Sequence, residues 1–149
     1  MPAAMRTLPG LEALKAVIAG QVPAPPMASL MNIRIIEVER GRVVFEGMPE
    51  EYHYNPLGTV HGGMAATLLD SAMGCCVHSC LDAGDRYTTL EIKVNYLKAL
   101  TLDTGRVRGV STIVHLGRTT ALAEARVVDD RDVVYAHATS TCLIKRAGS

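Results

Sequence analysis

Between residues 8 and 20 the apolar side chains Leu11, Leu14, Ala16, Val17 and Ile18 recur at helical spacing, and Gly20 ends the run. The following Val22, Pro23, Ala24, Pro25 and Pro26 read as a connector, because proline lacks the N–H donor and clashes with the preceding turn. From Met31 the period changes. Residues 31–39 and 42–48 alternate about Gly41, with Ile33, Ile35 and Val38 set against Arg34, Glu37 and Arg40, which predicts the two strands of a hairpin. Residues 52–59 hold the loop formers Asn55, Pro56 and Gly58. Residues 62–81 are nearly uncharged and apolar almost all round, which predicts a helix enclosed by other structure. The remainder is strand-like. Leu90, Ile92 and Val94 alternate with Glu91, Lys93 and Asn95, and three more strands follow over residues 104–115, 118–129 and 133–145.

The order is therefore helix, two strands, one buried helix, four strands. A sheet of about six strands wrapped around one central helix is the α+β arrangement that buries such a helix. No repeat or linker divides the chain, so residues 1–149 read as one domain, with a helix and proline-rich connector over 1–26 and the core over 27–149. A sheet of this kind leaves an edge that pairs readily with a second copy.

Composition changes this picture in two respects. Lys plus Arg (15) balances Asp plus Glu (15), so nothing in the global charge favours nucleic acid or an anionic membrane, and any anionic ligand needs local groups. Charged residues make up only 20% and mean hydropathy is +0.18, which fits burial of surface against a second copy. Cys75, Cys76, Cys80 and Cys142 have neither the spread of a disulfide framework nor metal-ligand spacing, and read as reduced, buried thiols. His53, His115 and His137 show no metal spacing either, and His78 reads as a satisfied core or interface residue. No metal and no separate cofactor are expected. With no signal-peptide pattern and no run of transmembrane length, a cytoplasmic location is the expectation.

The chemistry concentrates in Asn55-Pro56-Leu57-Gly58-Thr59-Val60-His61-Gly62-Gly63, followed by Asp70. Two glycines opening a helix let a ligand approach the backbone, and the first-turn amides have no intrahelical partner. Such a terminus can bind a phosphate, or polarise a carbonyl and hold the oxyanion that develops in acyl transfer. Asp70 is the one acid of the apolar helix. It needs a partner, a raised pKa or a chemical task, and a backbone group or hydroxyl from a neighbouring strand would serve as the partner.

The segment Asn55-Pro56-x-Gly58-x-x-His61-Gly62-Gly63 with Asp70, then Thr89-x-Glu91-x-x-x-x-Tyr96, then His115-Leu116-Gly117-Arg118, resembles the hotdog-fold thioesterases of the PaaI-like (phenylacetic acid degradation-type) branch. The resemblance spans residues 30–145. It implies a long antiparallel sheet around a central helix, dimerisation by continuation of that sheet, active sites at the dimer interface, and often a dimer of dimers, that is, a homotetramer. It implies acyl-CoA thioesters as substrates, coenzyme A being part of the substrate.

Carried over by residue, the Gly62 amide would hold the thioester carbonyl oxygen, and Asn55 would position that carbonyl or the attacking water. His61 would stabilise the helix start. Asp70 of the opposing subunit would act as general base or nucleophile, with Thr89 orienting the water or the carboxylate. For coenzyme A the resemblance points to Tyr96 and Lys98 and to the turn carrying His115, Gly117, Arg118 and Thr119. A guanidinium beside backbone amides suits phosphate, although Arg118 also reads as a solvated turn residue. The acyl group expected is aryl or medium-chain. A non-catalytic acyl-CoA-binding or ligand-sensing module is the competing reading. A dehydratase or hydratase would need an Asp-x-Asn-x-x-His arrangement or a His-x-x-x-x-Pro loop with a later helical Glu, and neither occurs.

Overall fold

Six alternating segments become the strands β1 (Ile33–Glu39), β2 (Arg42–Gly47), β3 (Arg86–Tyr96), β4 (Val107–Leu116), β5 (Thr120–Val128) and β6 (Val134–Lys145) of a computed structural model that describes residues 4–148. All pair antiparallel in one sheet of order β1-β2-β4-β5-β6-β3. β1 and β2 form the expected hairpin, turned at Gly41, whose φ of 77° is strained for any residue with a Cβ. The described residues also form four α-helices, α1 (Ala4–Thr7), α2 (Gly10–Ile18), α3 (Pro26–Leu30) and α4 (Gly62–His78), and two short 3-10 turns at Glu51–His53 and Leu102–Thr104.

α4 lies across one face of the sheet and touches all six strands. Its Met64, Leu68, Leu69, Ala72, Met73, Cys76 and Val77 are almost wholly buried against Val43, Phe45, Val107, Ala123, Ala125, Val127 and Ala138 of the strands. Removing a side chain such as Leu68 from water contributes about 1.5–3 kcal/mol, so this one helix anchors the core.

Three expectations need correction. The proline connector does not run to residue 26: Pro26 opens α3, since at the first helical position the missing N–H has no partner to lose. The strand alternation does not continue through Leu90. A bulge between Thr89 and Glu91 shifts the β3–β6 register, so Tyr87 and Thr89 face the helix side before it, Ile92 and Val94 after it, and Leu90 stands 56% exposed. A matching bulge between Ile113 and His115 leaves Val114 exposed on β4. Finally, α4 is not enclosed on every face. Asp70 is exposed, and Thr67, Ser71 and Cys75 are only half-buried, so a single chain leaves a strip of the helix bare beside β3.

β3 is also one of the two edges of the sheet, β1 being the other. Its outer side has no partner among the described residues, and Leu90, Tyr96 and Leu97 are exposed along it. No described helix is long and apolar enough to cross a membrane. The four cysteines are unpaired, three of them buried and Cys75 half-buried. Burial pushes the Cys76 thiol up to about 11 and Cys75 to about 12, so neither is a thiolate at neutral pH.

Candidate active site

The loop before α4 is built by its own side chains. The Asn55 Oδ1 accepts from the Leu57 N–H (2.9 Å) and from the Thr59 N–H (3.4 Å), and its Nδ2 donates to Thr59 Oγ1 (3.0 Å). Tyr54 and Val60 close the loop through an isolated bridge, and the His61 N–H donates to the His53 carbonyl (2.7 Å). His53 is buried, and its Nδ1 accepts from the Glu50 N–H (3.0 Å). Asn55 is therefore a loop-forming residue in the single chain, with one Nδ2 hydrogen left for anything outside it.

His61 is the N-cap of α4. Its backbone is extended (φ −60°, ψ 135°), and its Nδ1 accepts from the Gly63 N–H at 2.9 Å. The Met64 N–H donates to the His61 carbonyl (3.0 Å). This leaves the Gly62 N–H without a hydrogen-bond partner among the described residues. It sits at the positive end of a 17-residue helix dipole.

The two glycines also accommodate side chains of this chain. A Cβ on Gly62 would lie 3.0 Å from Cε1 and Cζ of Tyr96, and one on Gly63 would lie 2.8 Å from His61 Nδ1. Both spaces are filled by this chain's own side chains.

Gly62 lines a cleft of about 350 Å³ walled by Val60, Ala65, Tyr96, Leu97, Lys98 and Tyr135. The Tyr96 O–H donates to the Gly62 carbonyl (3.0 Å). Lys98 Nζ lies 5.0 Å from the centre of the Tyr135 ring, a cation–π contact that keeps a positive charge at the wall of the cleft.

Asp70 lies two helical turns beyond Gly62, about 12 Å along the axis. Its Oδ1 accepts a hydrogen bond from Thr89 Oγ1 (3.1 Å), so a hydroxyl from the bulged strand orients the carboxylate while the rest of it faces outward. The structure thus brings Thr89 to Asp70, and Tyr96 and Lys98 to Gly62. It does not bring Asp70 to Gly62 within one chain.

Nor do the residues expected to hold coenzyme A form one cluster there. Tyr96 is opposite Ala136 on β6, whereas Thr120, just after the His115–Arg118 turn, is opposite Leu143, about 23 Å further along that strand. In this turn the Gly117 N–H donates to the Thr120 carbonyl (2.8 Å), and the Thr119 carbonyl accepts from the Ile144 N–H (2.7 Å). Arg146, which nothing in the spacing singled out, braces it by donating to the carbonyls of Arg118 (3.1 Å) and Gly117 (3.2 Å) and to Asp85 Oδ2 (2.7 Å). Burial alone would raise the Asp85 carboxyl, but the Ala147 N–H and the Arg146 guanidinium hold it below the usual carboxylate range. His115, Arg118 and Thr119 are exposed.

His78 departs from expectation. It is 7% exposed and stacks obliquely on Tyr87 (ring centres 5.8 Å apart), yet neither ring nitrogen has a hydrogen-bond partner among the described residues. Burial pushes it below its ordinary value, so it is held neutral.

A single helix wrapped by an antiparallel sheet with an open edge, and an uncommitted amide at the capped start of that helix, define a hotdog-fold protein. The chain belongs to the thioesterase superfamily, whose sequence profile matches residues 57–136. It is similar to a phenylacetic acid degradation-related protein from Ralstonia eutropha JMP134, at 25% identity and a TM-score of 0.80, over 87% of this chain and 98% of that one. The phenylacetic acid degradation protein PaaI from Thermus thermophilus is likewise similar, at 26% identity and a TM-score of 0.73, over 83% of this chain and 100% of that one. The 1,4-dihydroxy-2-naphthoyl-CoA hydrolase of Listeria monocytogenes is 24% identical over 116 residues, covering 78% of this chain and 93% of its own length. The acyl-coenzyme A thioesterase 13 of Homo sapiens is 28% identical over 87 residues, covering 58% of this chain and 61% of its own.

Proposed function

We propose that this chain hydrolyses acyl-CoA thioesters carrying an aryl or medium-chain acyl group, in sites shared between two copies. The observation that carries this reading is a complementary pair of incomplete halves. One end of α4 offers the unpaired Gly62 N–H at a cleft, and the exposed Asp70, steered by Thr89, stands about 12 Å away on a bare strip beside an open sheet edge. Pairing of two β3 edges in antiparallel register sets the Gly62 of one copy against the Asp70 of the other, and each pairing generates the site twice. Family membership and relatives named as acyl-CoA hydrolases support the same reading.

The chemistry follows from these groups. The Gly62 N–H receives the thioester carbonyl oxygen and stabilises the negative charge that develops on it. Asp70, as general base, takes a proton from water while the hydroxyl oxygen attacks the carbonyl carbon. The C–S bond then breaks, and the thiolate leaves with the proton held by Asp70, giving a carboxylic acid and free coenzyme A. If the Asp70 oxygen attacks directly, an anhydride forms and water cleaves it to the same products. A single turnover in ¹⁸O water that labels the Asp70 side chain identifies the second route with water attacking the Asp70 carbonyl of the anhydride, since the first route leaves that side chain unlabelled. Two such dimers stacked as a tetramer complete the proposed assembly.

Thiol release from a panel of aliphatic and aromatic acyl-CoA esters tests this. At least one member should be turned over, and Asp70→Asn should lower kcat by about 10²–10⁴-fold without changing the melting temperature. Absence of release from the whole panel would favour the binding module, and full turnover by Asp70→Asn would remove Asp70 from the chemistry.

A further inference from the structure

Tyr96, to which the resemblance points for coenzyme A, commits its phenolic proton within the chain. The O–H donates to the Gly62 carbonyl at 3.0 Å, and the ring crowds the position a Cβ on Gly62 would take, at 3.0 Å from it. On the other side of the same peptide unit, the Gly63 N–H donates to His61 Nδ1 at 2.9 Å. The Gly62–Gly63 peptide is thus gripped at its oxygen by one side chain and at its nitrogen by another. Glycine is the residue whose backbone most needs such restraint, because it has no Cβ to narrow its φ and ψ. The donor that remains open, the Gly62 N–H, lies on the preceding His61–Gly62 peptide, whose carbonyl accepts from the Met64 N–H, so the grip on the Gly62 carbonyl reaches this donor through the φ and ψ of Gly62.

We propose that Tyr96 is a positioning residue for the Gly62 amide, supplying through its ring and its hydrogen bond the rigidity that glycine lacks. The inference rests on the thioesterase reading for its catalytic consequence, but the clamp itself is a property of the unliganded protein. A donor improves a transition state only if it already points where charge will develop, so loosening the backbone of Gly62 should lower turnover more than substrate binding. Tyr96 acts through Gly62 and need not touch the reacting atoms.

Tyr96→Phe keeps the ring and removes only the donor. In the full-length protein without ligand, ¹⁵N relaxation should show Gly62 as rigid as the interior of α4 in the wild type and clearly more mobile in Tyr96→Phe. With benzoyl-CoA and octanoyl-CoA as probes, kcat should fall about tenfold to a hundredfold while KM stays within about twofold. Unchanged Gly62 relaxation overturns the clamp. A variant that raises KM with kcat intact also overturns the proposal, because it assigns Tyr96 to substrate binding alone. If the wild type turns over neither ester, the hydrolase reading fails for these probes, and the Gly62 relaxation decides the clamp by itself.

Discussion

The two ends of β3 carry the same device with opposite consequences. At each end a tyrosine rests on a glycine of α4: Tyr96 on Gly62 and Tyr87 on Gly74, where a Cβ would meet the phenolic oxygen at 2.8 Å. Tyr96 is 56% exposed, hydrogen-bonded to backbone and set at the mouth of a cleft. Tyr87 is packed inward between Gly74, Cys75 and His78, and burial, with Cys75, Cys142 and Asp70 nearby, pushes its phenol well above its ordinary value. The same contact therefore meets the start of α4 beside a cleft at one end and packs against the core at the other. Asp70 lies between them, held by Thr89 at the bulge.

Alanine at each glycine should separate the two roles. Gly62→Ala pushes an exposed ring aside, so it should leave the melting temperature nearly unchanged while kcat falls about 10²–10³-fold, the effect of losing an aligned oxyanion donor. Gly74→Ala meets a ring packed against the core. Although alanine is the better helix former by about 1 kcal/mol, crowding of about 1–3 kcal/mol should prevail and lower stability, with kcat per folded molecule largely kept. Tyr87→Phe in the same chain should return part of that loss in a double-mutant cycle of denaturant midpoints, and strict additivity would show that the contact is not the cause.

The smallest expected effect concerns His78, packed against Tyr87 on β3 and against Gly10 of α2. Burial lowers its proton affinity in the folded chain, so the unfolded chain binds the proton first as the pH drops. Stability should be complete above the ordinary value of about 6.5 and decline as the pH falls from there through the lower folded value. His53, also pushed down by burial against an opposing effect of Glu50, contributes a parallel decline. Thermal melts from pH 7.5 to 5 should show a shallower acid limb in His78→Phe than in the wild type, and identical limbs would assign the decline to other groups.

Much of this comparison is absent from the residue pattern. The six strands and the central helix were legible because their apolar positions repeat at periods of about 2 and 3.6, and the loop at Asn55 because its turn formers cluster. The bulge was not. Leu90, Ile92 and Val94 alternate without interruption, and only the register against Thr141 and Cys142 shows one residue left out. Asp70 looks anomalous because an apolar helix announces burial but not which strip stays bare. The Gly62–Gly63 pair is legible as a helix start, yet the side chain that Gly62 accommodates lies 34 residues away in Tyr96, a contact made only once β3 is in place. Arg146 meets Asp85 across 61 residues for the same reason.

The central claim, that each site draws Gly62 from one copy and Asp70 from another, is tested most directly with hybrids. Gly62→Ala and Asp70→Asn chains, each inactive alone, are co-expressed with different tags, and the dimers carrying both tags are isolated. In a hybrid one site holds both lesions and the other holds neither. Shared sites predict recovery of about half the wild-type kcat per dimer. Hybrids as inactive as their parents would contradict the claim, because both residues would then have to act from the same chain.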